Sequence, residues 1–292
     1  MSTINTTLSA NFQALQLNRS QEALARSIGR LSSGSKLNDP AADSAQVGDA
    51  QKLDSQTQRI QAALTNVQNG ASYVQTADGF MGSMGKILSR MSELSTLASD
   101  PMKNTSDSAN YQQEFQSLQQ QLRDMIGGTT AQIGGTSNIN NPLGSYNSNA
   151  LFQANPTGTT ITVGSQAGNN LTIGQSNLQT GNMLSIIQQD SSGNFTMNLS
   201  SPSTLATVDG ATQEVAYARA QMGAVQTRLD IASSSLQVES QNVQSAFSQI
   251  NDVDVASEST QYAKYNIMVQ ASASMLTQAN QLPQSVLKLL KA

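Results

Sequence analysis

Cysteine, histidine and tryptophan are all missing from this chain of 292 residues. Without thiols a disulfide framework is excluded, and without thiolate or imidazole so is a metal site built on those ligands. The same absences remove the thiol nucleophile and the commonest general base. No pair of carboxylates converges on an identifiable pocket either, so nothing in the sequence supports an enzyme, and no cofactor motif is found. Aromatics supply 4% of the residues and apolar side chains 37%, which is too little for a large spherical core. Charge is scarce too. Asp, Glu, Lys and Arg make up 12%, roughly half the usual share, and the polar surface falls to Gln, Asn, Ser and Thr. The net charge is -4, with no basic run and no basic patch interleaved with aromatics, which argues against nucleic acid as a partner. No run reaches the roughly 18 apolar residues of a membrane-spanning helix, so no membrane insertion is expected. Met1 to Ser20 has no basic residue before Arg19 and no continuous apolar run, which predicts that no Sec signal peptide is present.

What the chain does have is two heptad stripes around a Ser/Thr/Asn/Gly-rich middle. The first runs Ile60, Leu64, Val67, Ala71, Val74, Ala77, Met81, Met84, Leu88, Met91, Leu94, Ala98, and the second Val215, Ala218, Met222, Val225, Leu229, Ala232, Leu236, Glu239, Val243, Ala246, Ile250. A sustained 3.5-residue repeat keeps one seam of a helix against a partner helix. The expected fold is therefore mainly α, a long antiparallel coiled-coil-like helical hairpin with a terminal helix pair and a small β-hairpin region in the middle. Methionines at 81, 84 and 91 read as seam packing.

Punctuation divides the chain further. A first helix is expected from Ser2 to Ser33, ended by Gly34, with the next beginning near Ala45 after Pro40. Asn69-Gly70 has the form of a hairpin turn, yet the heptad phase continues through it and predicts helix. Gly70, Gly79, Gly82 and Gly85 each cost about 1 kcal/mol of helix propensity, an outlay explained if they admit close helix approach. A third helix is expected from Ser106 to Ile126. Two-residue alternation predicts short strands at Ile161/Val163, Leu171/Ile173 and Phe195/Met197/Leu199, the first two joined as a hairpin through Ser165 to Asn169. Asp209-Gly210 reads as the return turn, with the second long helix from about Thr212 to Ile250. The last helix runs from Val255 toward Leu282, and Pro283 restarts a short amphipathic turn. The terminal segments hold too little apolar surface to offset the entropy of ordering them, which predicts folding against neighbouring copies.

Several strings, in order, resemble bacterial flagellin. Leu31-Ser32-Ser33-Gly34 with Lys36, Leu37 and Asn38 resembles that family's connector after the first helix, although Ala42-Asp43 stands where two acids are common. Asn69-Gly70-Ala71-Ser72 with Gln75 to Gly79, Gly223 to Arg228, and the S-x-I-x-D-x-D-x-A-x-E pattern from Ser248 to Glu258 are similar to family signatures. The most specific match is Gln278 to Pro283 with Val286 to Leu290. The resemblance implies a structural subunit of an extracellular helical filament used for swimming, exported without a cleaved signal peptide by a type III apparatus. It implies a filament-core domain at 1–44 and 251–292, a rod domain at 45–178 and 200–250, and a short variable outer segment at 179–199. The implied partners are further copies of the chain, a flagellin-specific export chaperone, and hook-filament junction and cap proteins. Self-assembly would bury Ile4, Leu8, Phe12, Leu15, Leu276, Leu282, Val286, Leu287 and Leu290. Arg90, Leu94 and Glu114 match by position residues read by a Toll-like innate immune receptor, with Ser92 where a second arginine is common; the bland alternative is a seam leucine beside a solvated charge.

Asp252, Asp254 and Glu258 allow a carboxylate metal site, but first-turn carboxylates that complement a helix dipole explain them better. Two rival functions are a hook-filament junction protein, which would lack the Gln278 to Leu290 string, and a secreted coiled-coil adhesin or effector, which would be a stable monomer.

Overall fold

The computed structural model describes residues 2–39, 44–152, 158–164, 166, 168–174 and 176–290, with side chains for all of these except 2–7, 9 and 282–290. In chain order the elements are α1 (Ser2–Ser33), α2 (Ser44–Ala98), α3 (Thr105–Ile126), α4 (Thr130–Ile133), β1 (Ser145–Tyr146), β2 (Asn149–Ala150), β3 (Thr159–Thr162), β4 (Asn170–Ile173), α5 (Gly181–Ile187), α6 (Thr204–Asn251) and α7 (Val255–Leu290). They form two compact units, Arg59–Glu239 in one, Met1–Gln58 with Ser240–Ala292 in the other.

In the unit formed by Arg59–Glu239, the two heptad stripes make the core. Ile60, Val67, Val74, Ala77, Met81, Met84, Leu88, Met91 and Leu94 of α2 are buried, as are Val215, Ala218, Met222, Leu229 and Leu236 of α6. The pairing is antiparallel: Leu97 lies in the same groove as Asp209, Asp78 is bonded to Arg219, and Gly70 faces Leu229. Helix α3 begins on the Asn104 side chain, which accepts from the Asp107 amide at 2.8 Å, and buries Phe115, Leu122, Met125 and Ile126. Its stop is Gly127, at φ +69°.

The middle of the chain closes over this bundle. Tyr146 of the β1–β2 hairpin meets Tyr73 edge to face at 5.9 Å, and Phe152 meets Phe80 at 6.5 Å. The β3–β4 hairpin forms as an antiparallel pair, with Ile161 opposite Leu171 and Thr162 opposite Asn170. It rests on α2 at Gly70, where a Cβ would come 2.7 Å from Ile161 Cδ1. Gly70 is thus a glycine of close approach. Gly79, Gly82 and Gly85 are not, because a Cβ at each would meet nothing within 4 Å.

Two expectations for the middle are corrected, and one element is added. Phe195, Met197 and Leu199 keep their alternating burial but form no strand; only an isolated bridge joins Phe195 to Gln189. Side chains of α3 replace the neighbouring strand: Gln119 Nε2 donates to the Met197 carbonyl at 3.3 Å, and the Leu199 amide donates to Gln112 Oε1 at 2.8 Å. Helix α5 was not foreseen. Nor does Asp209-Gly210 turn the chain, since α6 starts at Thr204 and runs straight through it. Gly210 is where α5 docks, with Asn182 Nδ2 2.5 Å from the position of a Cβ.

In the other unit α1 packs along α7. The two connectors that lead into them are tied together. The Lys36 amide donates to the Asn251 carbonyl at 2.7 Å, and the Val253 amide donates to the Gly34 carbonyl at 2.9 Å. Gly34, at φ +72°, supplies the left-handed backbone that releases the chain from α1. Helix α7 continues past Pro283 to Leu290, against the expected restart there. Proline's fixed φ lies in the helical range, so its cost is a missing donor and crowding, which a long helix can absorb.

Candidate assembly surface

The α1–α7 pair is built with its small side chains inward. Ser20 and Ser27 of α1, and Ser272 and Ala279 of α7, are buried at seven-residue spacing. Small residues let the helix axes approach, but they remove little apolar area from water. Ser20 Oγ donates to the Gln16 carbonyl at 2.9 Å, whereas the buried Ser27 Oγ has no partner among the described residues.

Several large side chains are left outside. Leu8 is 66% exposed and Phe12 64%, and Leu15, Ile28 and Ile267 are exposed in the same helix pair, while Leu17, Leu24, Leu31 and Val269 are half-buried. Leu276 is half-buried. The side chains of Ile4, Leu282, Val286, Leu287 and Leu290 lie outside the described residues, although their backbone is helical. Covering a large apolar side chain is worth about 2 kcal/mol. An amphipathic pair turned inside out in this way leaves most of that stabilisation to be collected by something else.

The carboxylates at the start of α7 have separate structural tasks. Asp254 Oδ1 accepts from the Ala256 amide at 3.0 Å and the Ser257 amide at 3.4 Å, which starts the helix. Glu258 sits in the first turn, 3.8 Å from the Arg30 guanidinium on α1. Asp252 accepts from Ser248 Oγ and from Asn251 Nδ2.

On α2 and α3, Arg90 and Glu114 are brought together as a fork: Nε donates to Oε1 at 2.7 Å and the second guanidinium nitrogen to Oε2 at 3.2 Å. Glu93 accepts a third bond at 3.0 Å. These side-chain hydrogen bonds raise the Arg90 pKa above its ordinary value and hold the Glu114 carboxyl below its own. Leu94 does not join them at the surface. It is 0% exposed, part of the seam.

Sequence reasoning passed over the polar groups that hold the middle segment in place. Gln119 and Arg123 of α3 are buried between Phe115 and Ile126. Gln119 Nε2 donates to the Ile186 carbonyl at 2.8 Å. Arg123 donates to the carbonyls of Ile133 at 2.6 Å, Gly134 at 2.6 Å and Ile187 at 3.0 Å. Burial pushes the guanidinium's pKa down, opposed by the neighbouring Asp124 charge. Glu214 of α6 accepts from the Asn182 and Met183 amides at 2.9 and 3.0 Å, taking the place of the cap that Thr180 does not supply to α5. The four-residue spacing from Phe115 to Gln119 to Arg123 was a visible signal that both polar residues share the buried face.

The parts that carry these surfaces match known proteins. Residues 4–135 match the bacterial flagellin N-terminal helical region, and residues 205–290 the bacterial flagellin C-terminal helical region. The flagellin-like protein YvzB of Bacillus subtilis (strain 168) is 38% identical over 149 residues, which cover 50% of this chain and 90% of that protein. The chain belongs to the flagellin family. It also resembles flagellin of the same Bacillus strain, 47% identical over 87 residues, covering 30% of this chain and 29% of that protein. The flagellar filament 33 kDa core protein of Treponema phagedenis is 44% identical over 87 residues, 30% of each. Against these two full-length relatives the alignment spans under a third of their length. The two family matches, 4–135 and 205–290, fall on the helices that form the seam and the α1–α7 pair and leave out the hairpins and α5. Flagellin is a structural protein family.

Proposed function

We propose that the chain is a subunit that polymerises with copies of itself into an extracellular flagellar filament, and that it performs no catalysis. The observation that carries this reading is the α1–α7 pair, whose small side chains are inside and whose Leu8, Phe12, Leu15 and Ile267 are outside. Neighbouring copies would cover them, together with Ile4, Leu276, Leu282, Val286, Leu287 and Leu290. On this reading 1–44 and 251–292 make the filament core, 45–178 and 200–250 the rod domain, and 179–199 the outer segment. A surface that adheres to itself must be shielded before export, which is the task of a flagellin-specific chaperone. Junction and cap proteins would meet the two ends of the polymer. A Toll-like receptor approaching α2 and α3 would meet the Arg90–Glu114 fork; Leu94 is already occupied in the seam.

Seeded growth on filament fragments tests the proposal. Wild-type protein should elongate the fragments into long tubes visible by negative-stain electron microscopy. Phe12→Asp should keep the wild-type thermal unfolding and helicity, because Phe12 contributes little to the subunit's own core, and should fail to elongate. Normal filaments from Phe12→Asp would sink the reading. Wild-type protein that caps fragments without lengthening them would favour the junction protein instead.

A further inference from the structure

With cysteine and tryptophan absent, methionine sulfur is the side-chain atom that a two-electron oxidant meets first. The fold sorts its methionines sharply. Met81, Met84, Met91, Met125, Met183 and Met222 are sealed in the core, and Met197 and Met268 are half-buried. Among the described residues two stand exposed: Met102, 89%, on the turn between α2 and α3, and Met275, 56%, on α7. Their settings differ. Met102 stands on a short turn beside Pro101 and Lys103, its amide donating to Asp100 Oδ1 at 3.0 Å. Met275 adjoins half-buried Leu276 in the helix pair that also exposes Ile267, Leu8 and Phe12.

We infer that Met275 is an oxidation site that controls assembly, an inference that rests on the filament-subunit reading. Hydrogen peroxide is the simplest oxidant of this class. The thioether sulfur attacks one peroxide oxygen and the O–O bond breaks. That oxygen stays on sulfur as the sulfoxide, and the other leaves as hydroxide and is protonated to water. Sulfur loses two electrons and the peroxide gains them. A flexible apolar side chain thereby becomes polar, with a strong acceptor oxygen, in a surface that assembly would strip of water. A buried acceptor with no donor opposes association. The same change at Met102 leaves assembly untouched, and the core methionines are out of the oxidant's reach. Filament growth therefore responds to peroxide at the stage of the free subunit, and a methionine sulfoxide reductase restores it, two electrons from a dithiol returning the sulfur to the thioether while the oxygen leaves as water.

The experiment treats dilute monomer with hydrogen peroxide, maps sulfoxides by peptide mass spectrometry, and follows seeded elongation. Sulfoxide should appear first at Met102 and Met275. The elongation rate should fall in proportion to the fraction oxidised at Met275, Met275→Leu should elongate after treatment at its own untreated rate, and Met102→Leu should remain as sensitive as wild type. In preformed filaments Met102 should still oxidise while Met275 is protected. Circular dichroism checks that each variant and each oxidised sample keeps its helicity. The inference is overturned if protein oxidised at Met275 elongates at the untreated rate, if Met275→Leu is inactivated like wild type, or if Met275 oxidises as fast in filaments as in monomer. Untreated protein that never elongates would instead overturn the filament reading itself, and this inference with it.

Discussion

A guanidinium taken out of water needs an acceptor for its N–H groups, and Arg123 finds three main-chain carbonyls, at Ile133, Gly134 and Ile187. Two of these lie at the C-terminal end of α4 and one at that of α5, where carbonyls lack helical partners and a cation is favoured. Arg123→Leu keeps the packing volume but strands all three acceptors. It should destabilise the unit formed by Arg59–Glu239 by about 3 kcal/mol, read as a lower midpoint in denaturant unfolding. Arg123→Lys keeps the charge but loses the fork and should fall between. The Arg90–Glu114 fork has equally good geometry and a different weight, since water competes for both partners at the surface.

At the level of elements, glycines in α2 separate two roles that look identical in the sequence. Gly79→Ala should stabilise the protein by about 1 kcal/mol, because the methyl enters open space and the helix gains propensity. Gly70→Ala gains the same propensity but sets its methyl against the tip of the Ile161 side chain, which must turn aside. The thermal unfolding midpoint should rise less for Gly70→Ala than for Gly79→Ala. The long helices themselves were legible because a 3.5-residue repeat is a property of the sequence, and the seam buried the residues the repeat marks. The end of α1 at Gly34 was legible for a similar local reason. What could not be read was everything decided by a distant partner. Helix α5 depends on Glu214, Gly210 stays helical because α6 is held in the seam while Asn182 fills its space, and Phe195 to Leu199 is held by side chains of α3. Period-two alternation reports which side chains are covered and not what the backbone bonds to. The candidate assembly surface was half legible: the family resemblance pointed to Leu8, Phe12 and Leu15, but nothing local said that Ser20 and Ser27 would take the inside of the pair.

For the molecule as a whole, low charge and an inside-out helix pair act together. A net charge of -4 on 292 residues gives little long-range repulsion between copies. The proposed association is then driven by apolar burial and should respond to the kind of salt more than to its ionic strength. Seeded elongation in sodium sulfate should outpace elongation in sodium chloride at equal ionic strength, as light scattering would show. Equal rates would mean that charge screening, not burial, governs growth. One further property follows from how the middle segment is held. Gln119, Arg123 and Glu214 hold it mainly by main-chain carbonyls and amides, with the Asn182 side chain on Glu214 the exception. Most exposed residues between 129 and 203 can therefore be exchanged without loosening that grip. The exposed face of this segment is free to drift, so a lineage can change it while its seam stays the same.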